Sequence, residues 1–223
     1  MKRIFLLLAI AMLALLSVAC ANDTTSNTTK QAPQIAAKTT YTNSLAGKKI
    51  LVAYFSATNN TKRVAEEIAQ ATGADIYRIE VAQGYSANPY DDKDRIQKEA
   101  YENLRPEVKA PLPASEMAKY DVIFVGSPIW WHQPAMVVCT FLESYDLSGK
   151  TVVPFFTYGA RSYLNESMQR IYKSTPNSVH VPASLPKDIE PDNIQQSQND
   201  DDGIIMPADV DNIDTWLKVL QLK

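Results

Sequence analysis

Hydrophobic positions fall along the chain in short, dense runs separated by amphipathic stretches. Residues 49–55 (KILVAYF), 122–126 (VIFVG) and 151–157 (TVVPFFT) are nearly continuous in apolar side chains, the pattern of strands buried on both faces. Residues 76–81 and 179–181 are shorter candidates for the same role. Between these runs the period changes to that of a helix. In 61–72, Val64 with Ile68 and Ala65 with Ala69 repeat at four-residue spacing, and Gly73 stands where a helix C-terminus favours glycine. Residues 135–145, 163–172 and 209–222 read as further helices. The second carries Leu164, Met168 and Ile171 on one face; the third carries Val210, Ile213, Leu217 and Leu220, with Asp209 or Asp211 as cap. Strand alternating with helix predicts an α/β fold, a parallel sheet with helices on both faces. Two stretches break the rhythm and are expected as surface excursions: 83–119, with a charged helix near 93–104, and 182–208, rich in Pro, Asn, Gln and Asp.

The N-terminus follows a different pattern. Lys2 and Arg3 precede an unbroken apolar run of 13 residues, 4–16, too short for a spanning helix and suited to a signal-peptide core. It ends Leu16-Ser17-Val18-Ala19-Cys20, which resembles a bacterial lipoprotein cleavage site. That resemblance implies removal of residues 1–19, lipidation of Cys20 and export to a periplasmic or extracellular membrane face; ordinary secretion and an uncleaved anchor are the alternatives. In residues 21–45, 14 of 25 are Thr, Ser, Asn or Gln, too polar to offset ordering entropy by burial. Residues 20–46 are therefore expected to be an acylated Cys20 and a flexible tether, and 47–223 the folded domain.

Charge and composition narrow the function. The whole chain carries 22 Lys+Arg against 25 Asp+Glu, too few cations for a dedicated nucleic-acid binder. Residues 47–223 alone carry a net −6. The seven glycines are never closer than ten residues, so neither a dinucleotide fingerprint nor a Walker-type phosphate loop can be written. Cys20, Cys139, His132 and His180 show no zinc-ligand spacing, and no metal is expected.

The chemistry is expected beyond the carboxyl ends of the strands, where open α/β sheets bind ligands. After the first strand, Ser56-Ala57-Thr58-Asn59-Asn60-Thr61 leads straight into a helix. It reads either as an anion site at a helix N-terminus or as a plain polar turn. After the third comes Gly126-Ser127-Pro128-Ile129-Trp130-Trp131-His132. Adjacent tryptophans in a proline-bounded loop rarely reach one core, so one is available to stack on a planar ligand; packing over the sheet is the other reading. After the fourth comes Thr157-Tyr158-Gly159-Ala160-Arg161, a third candidate loop or a simple helix-entry turn.

These residues resemble the flavodoxin superfamily. Its phosphate loop, Ser/Thr-x-Thr-Gly-x-Thr, is matched at Ser56, Thr58 and Thr61 and departs at Asn59, where the family has glycine. Gly-x-Pro-Ile-Trp-Trp is similar to the flavin loop of the quinone-reductase-like branch, which often has glycine in place of His132. The resemblance implies a five-stranded doubly wound sheet of order 2-1-3-4-5 and non-covalent FMN. The phosphate would lie on Ser56, Thr58, Asn59, Asn60 and Thr61, and the ring between Ser127, Pro128, Ile129, Trp130 and Trp131 on one side and Thr157, Tyr158 and Gly159 on the other. It implies electron transfer to a redox partner protein, or NAD(P)H-dependent reduction of quinone-like acceptors. His132 departs from the family; a histidine beside a flavin could donate a proton to a reduced acceptor, and a half-exposed surface histidine is the other reading. The alternative is a binding module of this fold that has lost FMN and redox activity.

Overall fold

The computed structural model describes residues 44–159, 163–183, 204–205 and 213–223. The leader, Cys20, the tether up to residue 43, Arg161 and the start of the last helix at 209 lie outside them. The elements are β1 Ile50–Tyr54, α1 Asn60–Thr72, β2 Asp75–Arg78, a 3₁₀ turn Pro89–Asp92, α2 Lys93–Tyr101, α3 Ala114–Met117 and β3 Val122–Trp130. They continue with β4 Gln133–Pro134, α4 Met136–Glu143, β5 Thr151–Thr157, α5 Leu164–Ser174, β6 Val179–His180, β7 Ile204–Ile205 and α6 Ile213–Val219.

The sheet runs β2-β1-β3-β5-β6, with these neighbours all parallel. It differs in detail from the expected five-stranded sheet: β4 and β7 are additional, short and antiparallel, on β3 and β5. Because side chains alternate along a strand, the apolar runs divide between two cores. Leu51, Ala53, Ile123, Val125, Val152 and Phe156 face one way, against residues of α4 and α5 such as Val138, Phe141, Leu164 and Met168. Ile50, Val52, Tyr54, Phe124, Val153 and Phe155 face the other, against Val64 and Ile68 of α1 and Trp216 and Leu217 of α6. Helices on both faces make the architecture doubly wound.

Gly126 sits in this packing for a steric reason. A Cβ there would stand 2.2 Å from the ring of the fully buried Phe155, so only glycine lets the ring cross the centre of the sheet. At the far end of α1, Gly73 adopts φ 70° and its N–H donates to Ala69 O at 2.8 Å, the left-handed helix stop that its position in the sequence predicts.

The third strand is longer than expected. The sequence places a loop after Gly126, but the chain stays extended to Trp130, turns over Trp131 and His132, and pairs back through Gln133 and Pro134. A two-residue hairpin turn of the I′ type, one of the two that follow the twist of their strands, needs positive φ at both central residues. Trp131 and His132 supply 49° and 68°, where Asn-Gly is the usual solution.

Candidate functional site

Strand register brings the three polar loops together. Tyr54 of β1 pairs with Gly126 of β3, which pairs with Phe155 of β5; two residues on, Pro128 pairs with Thr157. The chains that leave β1, β3 and β5 therefore start side by side at one edge. They enclose a cavity of about 740 Å³, within the size range of small-molecule sites.

Ser56, Thr58, Asn60 and Thr61 line its first wall. Asn59 has φ 69° and ψ 1°, left-handed, and no side chain caps α1. The first turn of the helix also carries no acidic residue. Its leading N–H groups are thus left without a side-chain partner, and the helix dipole places partial positive charge there. Thr58 and Asn60 are exposed and make no side-chain hydrogen bond among the described residues. Thr61 and Thr157 are buried, and their hydroxyls bond across loops one and three at 2.8 Å. Arg78 of β2 holds the turn from behind, donating to Ser56 O at 3.1 Å.

Pro128, Ile129, Trp130, Trp131 and His132 form a second wall. The two tryptophans part, as their adjacency predicts. Trp130 is half-buried, edge-on to Phe55 (centroids 5.3 Å) and Tyr85 (5.2 Å). Trp131 remains 38% exposed and, among the described aromatic rings, meets only the edge of Tyr101. His132 lies flat on Tyr163 at 3.6 Å and 11°. The hairpin is held at its base by Arg170 of α5, whose Nε donates to Gln133 Oε1 at 2.8 Å. Thr157, Tyr158 and Gly159 provide the third wall.

Two of the predicted site residues do not line the cavity. Asn59 contributes backbone shape instead, its carbonyl accepting from Arg63 N–H at 3.0 Å. Ser127 is fully buried; its hydroxyl accepts from Ala135 N–H at 2.9 Å and donates to Pro128 O, fixing the start of α4 to the end of β3.

Sequence reading missed a fourth wall. Ala87, Asn88, Pro89, Tyr90, Lys93 and Ile96 line the cavity from the stretch expected as a surface excursion, and Arg63 and Tyr163 join from α1 and the entry to α5. The part of the excursion that lines the cavity is held by a cluster around Tyr85. Arg95 donates to the carbonyls of Gln83 and Gly84 and to Glu99, its guanidinium 4.2 Å from the Tyr85 ring centre, and Tyr85 donates to Glu99 at 2.6 Å. Burial, then the Glu99 carboxylate, holds the Tyr85 phenol well above its ordinary range, so it stays a donor. The signal available in the sequence was Asn88-Pro89, a 3₁₀ start in which Asn88 accepts from Tyr90 N–H.

Among the described residues, the lining contains Arg63, Lys93 and His132 and no carboxylate, on a domain of net charge −6. It suits an anionic ligand with a planar, apolar body.

Comparison with known proteins identifies the family and the fold. Residues 49–197 match the protein-family model described as Flavodoxin. A candidate flavoprotein from Bacteroides eggerthii is 37% identical with TM-score 0.53, covering 60% of this chain and 84% of its own. Another, from Bacteroides uniformis, is 36% identical with TM-score 0.54, at 60% and 86% coverage. A flavoprotein from Lactobacillus acidophilus, solved in complex with FMN, shares the fold at 24% identity and TM-score 0.51, covering 60% of this chain and 90% of its own. No curated protein matches the chain.

Proposed function

The chain belongs to the flavodoxin family, and from that premise we propose that it binds FMN non-covalently and serves as a redox protein. The observation that carries the proposal is the cavity over the uncapped N-terminus of α1, whose described lining holds hydroxyls, Arg63 and Lys93 and no carboxylate. A phosphate needs donors and positive potential, and a helix N-terminus with neighbouring hydroxyls supplies both. FMN, when bound, supplies the electron chemistry. The protein's part is position and access. Thr58, Asn60 and the α1 amides would take the phosphate. Thr61, already bonded to Thr157, would keep two loops in register. Trp130, fixed by Phe55 and Tyr85, and Tyr158 would flank the ring. His132, flat against Tyr163 at the cavity wall, would hold a proton beside the reacting edge for a reduced acceptor.

The proposal extends to an electron source and a location. NAD(P)H would reduce the bound cofactor if the protein is a reductase of quinone-like acceptors, and a partner protein would do so if it is a carrier. Acylation of Cys20 would hold the domain outside the cytoplasm at a bacterial membrane; metabolic labelling with a fatty acid, lost in Cys20→Ala, tests it.

The central test is a fluorescence titration of FMN with the purified protein. Quenching with micromolar or tighter affinity is expected. A protein that leaves FMN fluorescence unchanged at that concentration overturns the redox reading in favour of a fold that has lost its cofactor. Anaerobic mixing of the loaded protein with NADPH then separates the two roles: rapid bleaching marks a reductase, and no bleaching a carrier.

A further inference from the structure

The cavity carries more recognition than one phosphate requires. The α1 N-terminus and its hydroxyls form one wall, with Arg63 on the same helix. Lys93 lines a different wall, at the start of α2. Its backbone N–H donates to Tyr90 O, while its exposed side chain makes no ion pair or hydrogen bond among the described residues. Among the described residues, the acidic neighbours that could neutralise it are directed elsewhere or do not line the cavity. Asp91 accepts from Asn88 Nδ2, Asp92 accepts from Ser86 N–H, and Asp94 is not part of the lining.

Two large rings accompany this cation. Tyr90 lines the cavity yet is 83% exposed, on the 3₁₀ turn immediately before Lys93. Trp131 lines it at 38% exposure from a left-handed backbone that a bulky residue adopts only at a conformational cost. Folding gains little from rings left in water, whereas a planar ligand laid against them would remove apolar surface on both sides.

We propose that the α2 wall is a second subsite of the cavity, for a planar aromatic ligand bearing an anionic group, with Tyr90 and Trp131 as its apolar contacts and Lys93 selecting the anion. If FMN occupies the α1 wall, this subsite names the class of the small acceptor: an aromatic sulfonate or carboxylate in preference to its neutral analogue. To that extent it rests on the FMN reading.

The test is binding, read by calorimetry on the full chain with and without saturating FMN. The probes are anthraquinone-2-sulfonate and the neutral 2-(hydroxymethyl)anthraquinone. The wild-type protein is expected to bind the sulfonate about three- to fivefold more tightly, as one exposed charge pair allows, with the preference shrinking as salt is raised. Lys93→Gln should abolish the preference and Lys93→Glu invert it, while Trp131→Ala should weaken both probes alike. Equal binding of the two probes by wild type overturns the proposal, and so does a preference that survives in Lys93→Gln. A loss of FMN affinity in Lys93→Gln equal to the loss for the sulfonate also overturns it, by assigning Lys93 to the cofactor. If FMN itself fails to bind, the redox reading falls, and the probe preference on the cofactor-free protein still decides the subsite.

Discussion

At the scale of single residues, the site is organised by backbone conformations that most side chains avoid. Asn59 stands where the family's loop has glycine, and it takes up the left-handed geometry that position needs, at φ 69°. Asparagine tolerates this region because its short polar side chain bonds locally, whereas a β-branched residue clashes there. Asn59→Gly should therefore leave stability within about 0.5 kcal/mol and preserve FMN binding, because it keeps the turn and alters only chain entropy. Asn59→Val should cost about 1–2 kcal/mol in urea unfolding and weaken FMN, because the turn that exposes the α1 amides would be lost. Equal stability and affinity in the two variants would show that the turn does not depend on this φ. The polar loop between β1 and α1 was legible from its hydroxyl spacing, and the left-handed turn at Asn59 from asparagine standing where the family has glycine. The Trp131-His132 turn was not. Nothing in residue type signals positive φ at two bulky positions, and the turn follows only once Trp130 and Gln133 are seen to pair.

At the scale of elements, strands and long helices were legible because burial on both sheet faces and a four-residue apolar period leave few alternatives. The 83–101 wall was not, because its placement depends on long-range polar contacts. Arg95 and Glu99 pair at four-residue spacing on α2, but the bonds that tie them to Tyr85, Gln83 and Gly84 reach across a separate loop, and no local period encodes them. The short edge strand β6 shows a further coupling. His180 stacks on Tyr172 of α5 at 4.0 Å, and its Nε2 lies 2.9 Å from the Thr175 hydroxyl. Burial outweighs the hydrogen bond to the Thr175 backbone and holds the imidazole below its ordinary pKa. The folded state thus prefers neutral His180, and the unfolded chain binds the proton more readily. Its contribution to stability is fully present above the ordinary histidine value of about 6.5 and is lost as pH falls below it towards the lowered folded value. The urea midpoint should accordingly rise between pH 5 and 7, and His180→Gln should flatten that rise. Glu143 is also protonated less readily than usual, through its hydrogen bond from Arg105, so its acid loss comes lower, below the ordinary glutamate range. A slope between pH 5 and 7 that is unchanged in His180→Gln would assign the effect to other groups.

At the scale of the molecule, the domain divides its work between its two cores. One lies under α4 and α5 and includes Phe55 and Phe156, with Trp130 packed against it. The other is closed by α1 and α6, and α6 lies beyond the residues 49–197 that match the family model. Trp216 of α6 is fully buried, with its ring 5.9 Å from that of Phe124 in the central strand. The last turn returns to the start of the domain, where Leu45 N–H donates to Leu222 O at 3.1 Å. No described residue of α6 lines the cavity, so stability and ligand binding should separate here. Trp216→Ala should cost about 3–5 kcal/mol, the usual range for emptying a large aromatic site in a packed core. Trp216→Phe should cost much less, because Trp216 Nε1 has no hydrogen-bond partner among the described residues and the exchange removes volume without orphaning a partner. Urea unfolding measures both costs. An FMN titration of each variant under folding conditions should return the wild-type affinity for the folded fraction. If Trp216→Ala instead weakens FMN in step with its loss of stability while remaining fully folded by circular dichroism, the second core would be acting on the cavity through the strands. Tyr54 and Phe155 pack in that core and lie in the register that ends at the loops, so they are the residues through which such coupling would pass.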